Sequence, residues 1–155
     1  MTVPTKTLAA ADVMTTEPVS LLPHSPIREL ALVLETNEIS GVPVVDEQQH
    51  VVGVVSRTDL VHYLMSEHEG EIHESFQYDP VEEDWTITEA VAGDIDATVE
   101  QIMNPEPVTV TAETSVPVIA RKMADESIHR VIVVNRHKRL IGIVTSLDVL
   151  GVFPQ

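Results

Sequence analysis

The chain has 155 residues, 43% of them apolar, no cysteine, and a formal net charge of −16. That length holds one compact domain or two half-domains sharing a core. The missing cysteines exclude disulfides, thiolate catalysis and cysteine-ligated zinc or iron–sulfur sites, and the charge argues against nucleic-acid backbones and anionic membranes as partners. No apolar run is long enough to cross a bilayer, and residues 1–6 lack the basic and apolar regions of a signal peptide, so the expected location is cytoplasmic.

The first segment, Met14-Thr15-Thr16-Glu17-Pro18-Val19, is short and extended. Ser25 and Pro26 signal a helix start, with Ser25 as the cap and Pro26 in the first helical position. Apolar residues follow at helical spacing, at Ile27, Leu30, Ala31 and Leu34. Residues 42–45 form a β-branched run interrupted by Pro43, which suggests a buried strand entered near an edge or bend. Glu47-Gln48-Gln49-His50 turns the chain into a second strand over 51–55, and Ser56 starts another helix.

Residues 62–98 then carry eleven acids and no lysine or arginine. They also hold Tyr63, Phe76, Tyr78 and Trp85, four of the five aromatics, so they are not simply a disordered acidic tether. Thr86 with Glu89, and Thr98 with Gln101, read as capping boxes that open short helices. His62, His68 and His73 lie among glutamates, with Glu69 and His73 at i, i+4 spacing. Gly70 interrupts that helix and no HExxH pattern is present, so a solvated or partner-facing segment is preferred over a metal site.

From Met103 the first pattern returns. Met103-Asn104-Pro105-Glu106-Pro107-Val108 repeats Met14–Val19, Val131-Ile132-Val133-Val134 repeats the 42–45 strand, and Gly142-Ile143-Val144-Thr145-Ser146-Leu147-Asp148 repeats Gly53-Val54-Val55-Ser56-Arg57-Thr58-Asp59. Every pair is 89 positions apart: 103 against 14, 142 against 53, 148 against 59. Thr114 and Ser115 open the copied helix, with Val116, Ile119, Ala120 and Met123 on its apolar face. Each copy reads strand, helix, strand, strand, helix. A supersecondary unit used twice can bury against its copy the face it cannot bury alone, so function is expected where the copies meet. Arg121, Lys122, Arg130, Arg136, Lys138 and Arg139 make the second copy locally able to hold an anion.

The ends of the copies carry chemistry. A Ser or Thr at a strand end, with Asp three residues on, sets a hydroxyl at a helix cap and a carboxylate in its first turn. Asp59 or Asp148 can accept bonds from two vicinal hydroxyls, so a ribose on the carboxylate with its phosphate toward the helix start satisfies both groups. Capping explains the same pair without any ligand, and both roles can coexist. Ile128-His129-Arg130-Val131 adds a guanidinium fork suited to phosphate and an imidazole that responds near neutral pH. In the first copy Ser40-Gly41 stands there instead, small enough to let an adenine or ribose approach the backbone.

These motifs resemble paired cystathionine-β-synthase (CBS) domains, the tandem also called a Bateman module, over about residues 8–66 and 97–153. The resemblance implies an α/β (α+β) fold of two β-α-β-β-α repeats related by pseudo-two-fold symmetry, with residues 67–96 as an acidic insert. It also implies two clefts that bind an adenine nucleotide or related ligand (AMP, ADP, ATP or S-adenosylmethionine) to regulate something else. The stretch around His129 is similar to one in the gamma subunit of the AMP-activated kinase, where the pair faces phosphates; Ile132, where Pro43 sits in the first copy, departs from that pattern. The family's geometry implies crossed sites. Thr145, Ser146 and Asp148 would face Ile39, Ser40, Gly41 and Thr16 to Val19; Ser56, Arg57 and Asp59 would face His129, Arg130 and Val108, making that cleft the more positive.

The residues offer no nucleophile–base pair and no metal cage, so no enzyme and no required cofactor are expected. The output would pass through an unknown effector protein, and homodimerisation is implied by resemblance. A ligand-free interaction or dimerisation module is the alternative, and a metal-dependent enzyme built on the His/Glu insert is a distant third.

Overall fold

The structure is a computed structural model that describes residues 6–67 and 96–153. In chain order its elements are α1 (Ala10–Val13), β1 (Thr15–Thr16), α2 (Ile27–Thr36), β2 (Gly41–Val45), β3 (Val51–Ser56) and α3 (Arg57–Glu67), then α4 (Val99–Ile102), β4 (Thr109–Val110), α5 (Val116–Glu126), β5 (Arg130–Val134), β6 (Leu140–Thr145) and α6 (Ser146–Leu150). They fold as two compact units that do not coincide with the sequence repeats. Of the described residues, 6–18, 47–51 and 107–153 form one, here the Asp148 unit; 19–46, 52–67 and 96–106 form the other, the Asp59 unit. The lead-in of each repeat folds with the body of its copy.

In the Asp148 unit four strands run in the order β1-β6-β5-β4. β1 is antiparallel to β6, with Thr15 opposite Ile143 and Thr16 opposite Gly142. β5 and β6 form an antiparallel hairpin in which Arg130 opposes Thr145, and β4 lies parallel to β5. The turn residues 49–51 join this unit: the Val51 N–H donates to the Lys138 carbonyl (3.2 Å) and the Leu140 N–H to the Gln49 carbonyl (3.0 Å). These two bonds exchange under the 89-residue offset, as a local two-fold between the turns requires.

The Asp59 unit repeats this plan with fewer bonds. β2 lies beside β3, flanked by an antiparallel bridge from Val54 to Asn104 and a parallel bridge from Leu21 to Val44. On one edge the difference traces to a single residue. In the Asp148 unit the Ile132 N–H donates to the Val108 carbonyl at 3.0 Å. Pro43 stands at the matching position and has no N–H to give Val19. Only Leu21 remains on that edge, donating to Pro43 (3.1 Å) and accepting from Val45 (2.9 Å), while Val19 stays 41% exposed.

Helix spacing fills each unit's core. Ile27, Leu30, Ala31 and Leu34 of α2 pack with Val42 and Val44 of β2, Val55, Leu60 and Leu64, and Val99 of α4. In the other unit Ile119 and Met123 of α5 pack with Val131, Val133, Val144 and Val149. Burial of each such aliphatic side chain contributes about 1.5–3 kcal/mol. The helix starts lie one residue later than the sequence suggests. Pro26 and Ser115 occupy the cap positions and neither makes a side-chain cap bond. Ser25 and Thr114 instead close the preceding turns, their hydroxyls accepting from the Leu22 N–H (3.2 Å) and the Thr111 N–H (3.1 Å). The capping box expected from Thr98 and Gln101 opens α4, whereas the one expected at Thr86 and Glu89 lies outside the described residues.

The lead-ins approach two glycines closely. A Cβ on Gly53 would sit 2.5 Å from the Met103 sulfur and 2.9 Å from the Asn104 carbonyl oxygen; one on Gly142 would sit 2.5 Å from the Met14 sulfur and 3.1 Å from the Thr15 oxygen. A methionine can swing aside, but a bridged backbone cannot. Gly53→Ala and Gly142→Ala should each destabilise their unit by about 1–3 kcal/mol in urea unfolding, with Gly53→Ala the worse and Met103→Ala recovering only the part owed to sulfur.

The offset also appears in backbone strain. Glu38 and Ser127, which follow α2 and α5, have φ of 52° and 53°; Gln49 and Lys138, in the two turns, have 70° and 61°. Left-handed geometry costs a non-glycine residue about 1–2 kcal/mol, and glycine gives back about half of that relief in unfolded-state entropy. Glu38→Gly and Ser127→Gly should therefore each stabilise the chain by about 0.5–1 kcal/mol, read as a higher urea midpoint, while alanine at either position should give no gain.

Candidate functional site

Each unit closes its central hairpin on the same constellation. At the end of β3 the Ser56 N–H and hydroxyl both donate to Asp59 Oδ2, at 2.8 and 2.9 Å, and the Asp59 N–H donates back to Ser56 Oγ at 3.2 Å. At the end of β6 the Thr145 N–H and hydroxyl donate to Asp148 Oδ2, at 2.8 and 3.0 Å, and the Asp148 N–H returns a bond to Thr145 Oγ1 at 3.3 Å. These are capping boxes, fixed because the strand ends where the next helix needs its free N–H groups satisfied. In both, Oδ2 takes every bond, and Oδ1 of each half-buried carboxylate accepts none from the described residues.

The entry to the preceding strand is tied to this corner. The Arg57 N–H donates to the Ser40 carbonyl and the Ser146 N–H to the His129 carbonyl, both at 2.9 Å. Each bond lies within one unit, whereas the crossed pairing that the resemblance implies joins residues of both. A hairpin sets the first residue of one strand beside the last of the other, so Arg130 lies opposite Thr145 and His129 is bonded to Ser146. Ser40 is bonded to Arg57 in the same way. Val108 belongs to the Asp148 unit through Ile132, and Val19 to the Asp59 unit. Thr16 pairs opposite Gly142 in the Asp148 unit.

The units differ sharply in charge. The described residues of the Asp148 unit hold seven acids and seven bases. Those of the Asp59 unit hold nine acids against Arg28 and Arg57, and residues 68–95 add nine more acids with no base. Among the described residues no group of His, Asp and Glu could hold a metal ion, and no helix is long and apolar enough to cross a membrane. His68, Glu69 and His73, the basis of the metal idea, and Phe76, Tyr78 and Trp85 lie outside the described residues; Tyr63 packs against the core of the Asp59 unit. The methionine–glycine packing went unread, although Met14 with Gly142 and Met103 with Gly53 recur at the repeat offset.

Residues 10–66 and 99–154 each match the CBS domain, and the chain belongs to that family. It is 27% identical over 142 residues to L-aspartate semialdehyde sulfurtransferase of Methanocaldococcus jannaschii, a match that covers 92% of this chain and 22% of the relative. The chain spans between about a fifth and just over half of the length of the curated relatives it matches. Among solved structures it resembles the CBS domain pair of protein MJ0100 in complex with 5′-methylthioadenosine and S-adenosyl-L-methionine, at 25% identity and a TM-score of 0.72 over 94% of this chain and 99% of the other. It also shares the fold of CBSX2 in complex with AMP, at 24% identity and a TM-score of 0.71 over 93% and 94%. The mixed α+β fold is that of a CBS pair.

Because each capping box spans a helix start, Thr145→Ala and Asp148→Ala should each cost about 1 kcal/mol in urea unfolding. The double variant should cost clearly less than their sum, since either change breaks the same reciprocal bonds. Full additivity would show that the hydroxyl and the carboxylate act separately.

Proposed function

We propose that the chain is a regulatory module that binds adenosine-containing ligands, with residues 8–66 and 97–153 as its CBS repeats and 67–96 as a separable acidic insert. One observation carries this reading: each capping aspartate uses a single oxygen for the fold and leaves Oδ1 for a ribose diol. The structural likeness to a pair that binds methylthioadenosine and S-adenosylmethionine supports the adenosyl group as the shared element. The candidate contacts are Ser56, Arg57, Asp59, Ile39, Ser40, Gly41 and Val19 in one unit, and Thr145, Ser146, Asp148, His129, Arg130, Thr16 and Val108 in the other. The module acts on an effector protein and performs no reaction of its own, because neither corner sets a nucleophile beside a base. We assign a homodimer to it as well.

A second reading has its own support. Every buried side-chain polar atom of the described residues is satisfied without a ligand, and Leu147, Leu150 and Phe153 expose large apolar surface near the chain end. Both suit a pure interaction module.

Isothermal titration with AMP, ATP and S-adenosylmethionine separates the two. Binding in the micromolar range that is weakened by Asp59→Ala or Asp148→Ala, in variants that keep the wild-type circular dichroism, supports the ribose assignment. Identical curves for wild type and both variants would sink it, and no binding at all would favour the interaction module.

A further inference from the structure

Two corners share one frame and differ at the positions that face a ligand's charge. In the Asp148 unit Arg130 opposes Thr145 across the hairpin, and the His129 carbonyl is bonded to the Ser146 N–H. In the Asp59 unit the matching residues are Ser40 and Gly41. We infer that the two corners take adenosyl ligands of different charge: the Asp148 corner a phosphorylated adenosine, and the Asp59 corner an adenosyl compound without phosphate, preferably a cationic sulfonium.

The inference rests on the adenosine-ligand reading above and adds a ligand class to each site. Arg130 can meet two phosphate oxygens at once through its planar fork, and His129 beside it can add a second donor. The described residues of the unit around them are electrically balanced, so the unit itself adds no net charge against an anion.

At the Asp59 corner the serine hydroxyl and the glycine offer contact but no charge. Arg57, the one cation of that corner's own sequence, is exposed and lies in a unit whose described residues carry nine acids and two bases. A di- or triphosphate there meets net repulsion, whereas a sulfonium carrying the same adenosyl group is attracted. Gly41 has no Cβ, so this position adds no side chain that would hold a group on the ribose 5′ carbon away from the backbone.

Four full-length proteins decide the matter: wild type, Asp59→Ala, Asp148→Ala and Arg130→Gln, each titrated with ATP, 5′-methylthioadenosine and S-adenosylmethionine at low and high salt. Asp148→Ala should lose ATP and keep the two phosphate-free ligands, and Asp59→Ala should do the reverse. Arg130→Gln leaves both capping boxes intact and should weaken ATP about tenfold or more while sparing S-adenosylmethionine. In Asp148→Ala, S-adenosylmethionine should bind more tightly than the neutral thioether, and added salt should erase that advantage. ATP and S-adenosylmethionine lost together in one variant, or ATP retained in Arg130→Gln at wild-type affinity, would overturn the split while leaving adenosine binding established. Failure of wild type to bind any of the three overturns the adenosine reading itself, and the split with it.

Discussion

The seating of Met14 on Gly142 and of Met103 on Gly53 is the contact on which both units depend. It lets a lead-in lie flat against the last strand of the hairpin, so that Thr15 can pair with Ile143 and Asn104 with Val54. In each case the lead-in comes from the other copy. A single repeat would therefore leave one side of its hairpin open, with strand N–H and C=O groups unpaired, which is a strong reason for the unit to occur twice. The described flanks of the acidic segment share a unit. Glu67 and Asp96, the described residues on either side of it, lie in one unit, so the chain passes between units elsewhere, near 18, 46, 51 and 106.

Stability and ligand recognition are compatible at the two corners because a carboxylate has two oxygens. Oδ2 holds the helix start in a reciprocal box, which fixes the position of Oδ1 before any ligand arrives. An acceptor held in place by the fold loses little freedom on binding, and that preorganisation favours affinity. Ser56 and Thr145 are spent on the cap, since each hydroxyl both donates to its aspartate and accepts an amide N–H. They steady the aspartate and have little left to give a ligand, so the proposed specificity rests on Ser40, Gly41, His129 and Arg130.

The repeat, the helices on Ile27–Leu34 and Val116–Met123 spacing, and the Ser/Thr-x-x-Asp boxes were all legible in the sequence, because each is a local pattern. The helix starts were off by one because Ser25 and Thr114 can close a turn as readily as they can cap a helix, and composition does not separate the two. The composition of the units was not legible at all. Periodicity says that residues 14–19 extend but not which hairpin they join. The place of Arg130 within its own unit was legible as a local pattern. The two strands around Arg136–Arg139 already form a hairpin in sequence, and the opposition of its first and last residues follows from that alone.

The pattern of divergence between the copies separates frame from function. Positions that hold the frame are the same or nearly so in both: Gly53 and Gly142, Met14 and Met103, Ser56 and Thr145, Asp59 and Asp148. Positions at the strand entries and helix starts around the boxes differ in charge or bulk: Ser40 against His129, Gly41 against Arg130, Arg57 against Ser146. Pro43 against Ile132 lies between these classes, since it alters an edge bond and leaves the corner's box unchanged. A frame change would disturb both the fold and its ligand, whereas a change at 40 or 129 alters only what the carboxylate is offered beside it. Because the frame is duplicated and the net charge is not, the proposed split rests on two different charge effects: Arg130 as a local counter-charge on the balanced unit, and the acids of the other unit as an opposing field. The first of these acts at contact distance and resists salt; the second reaches further and is screened within about 10 Å at ordinary ionic strength.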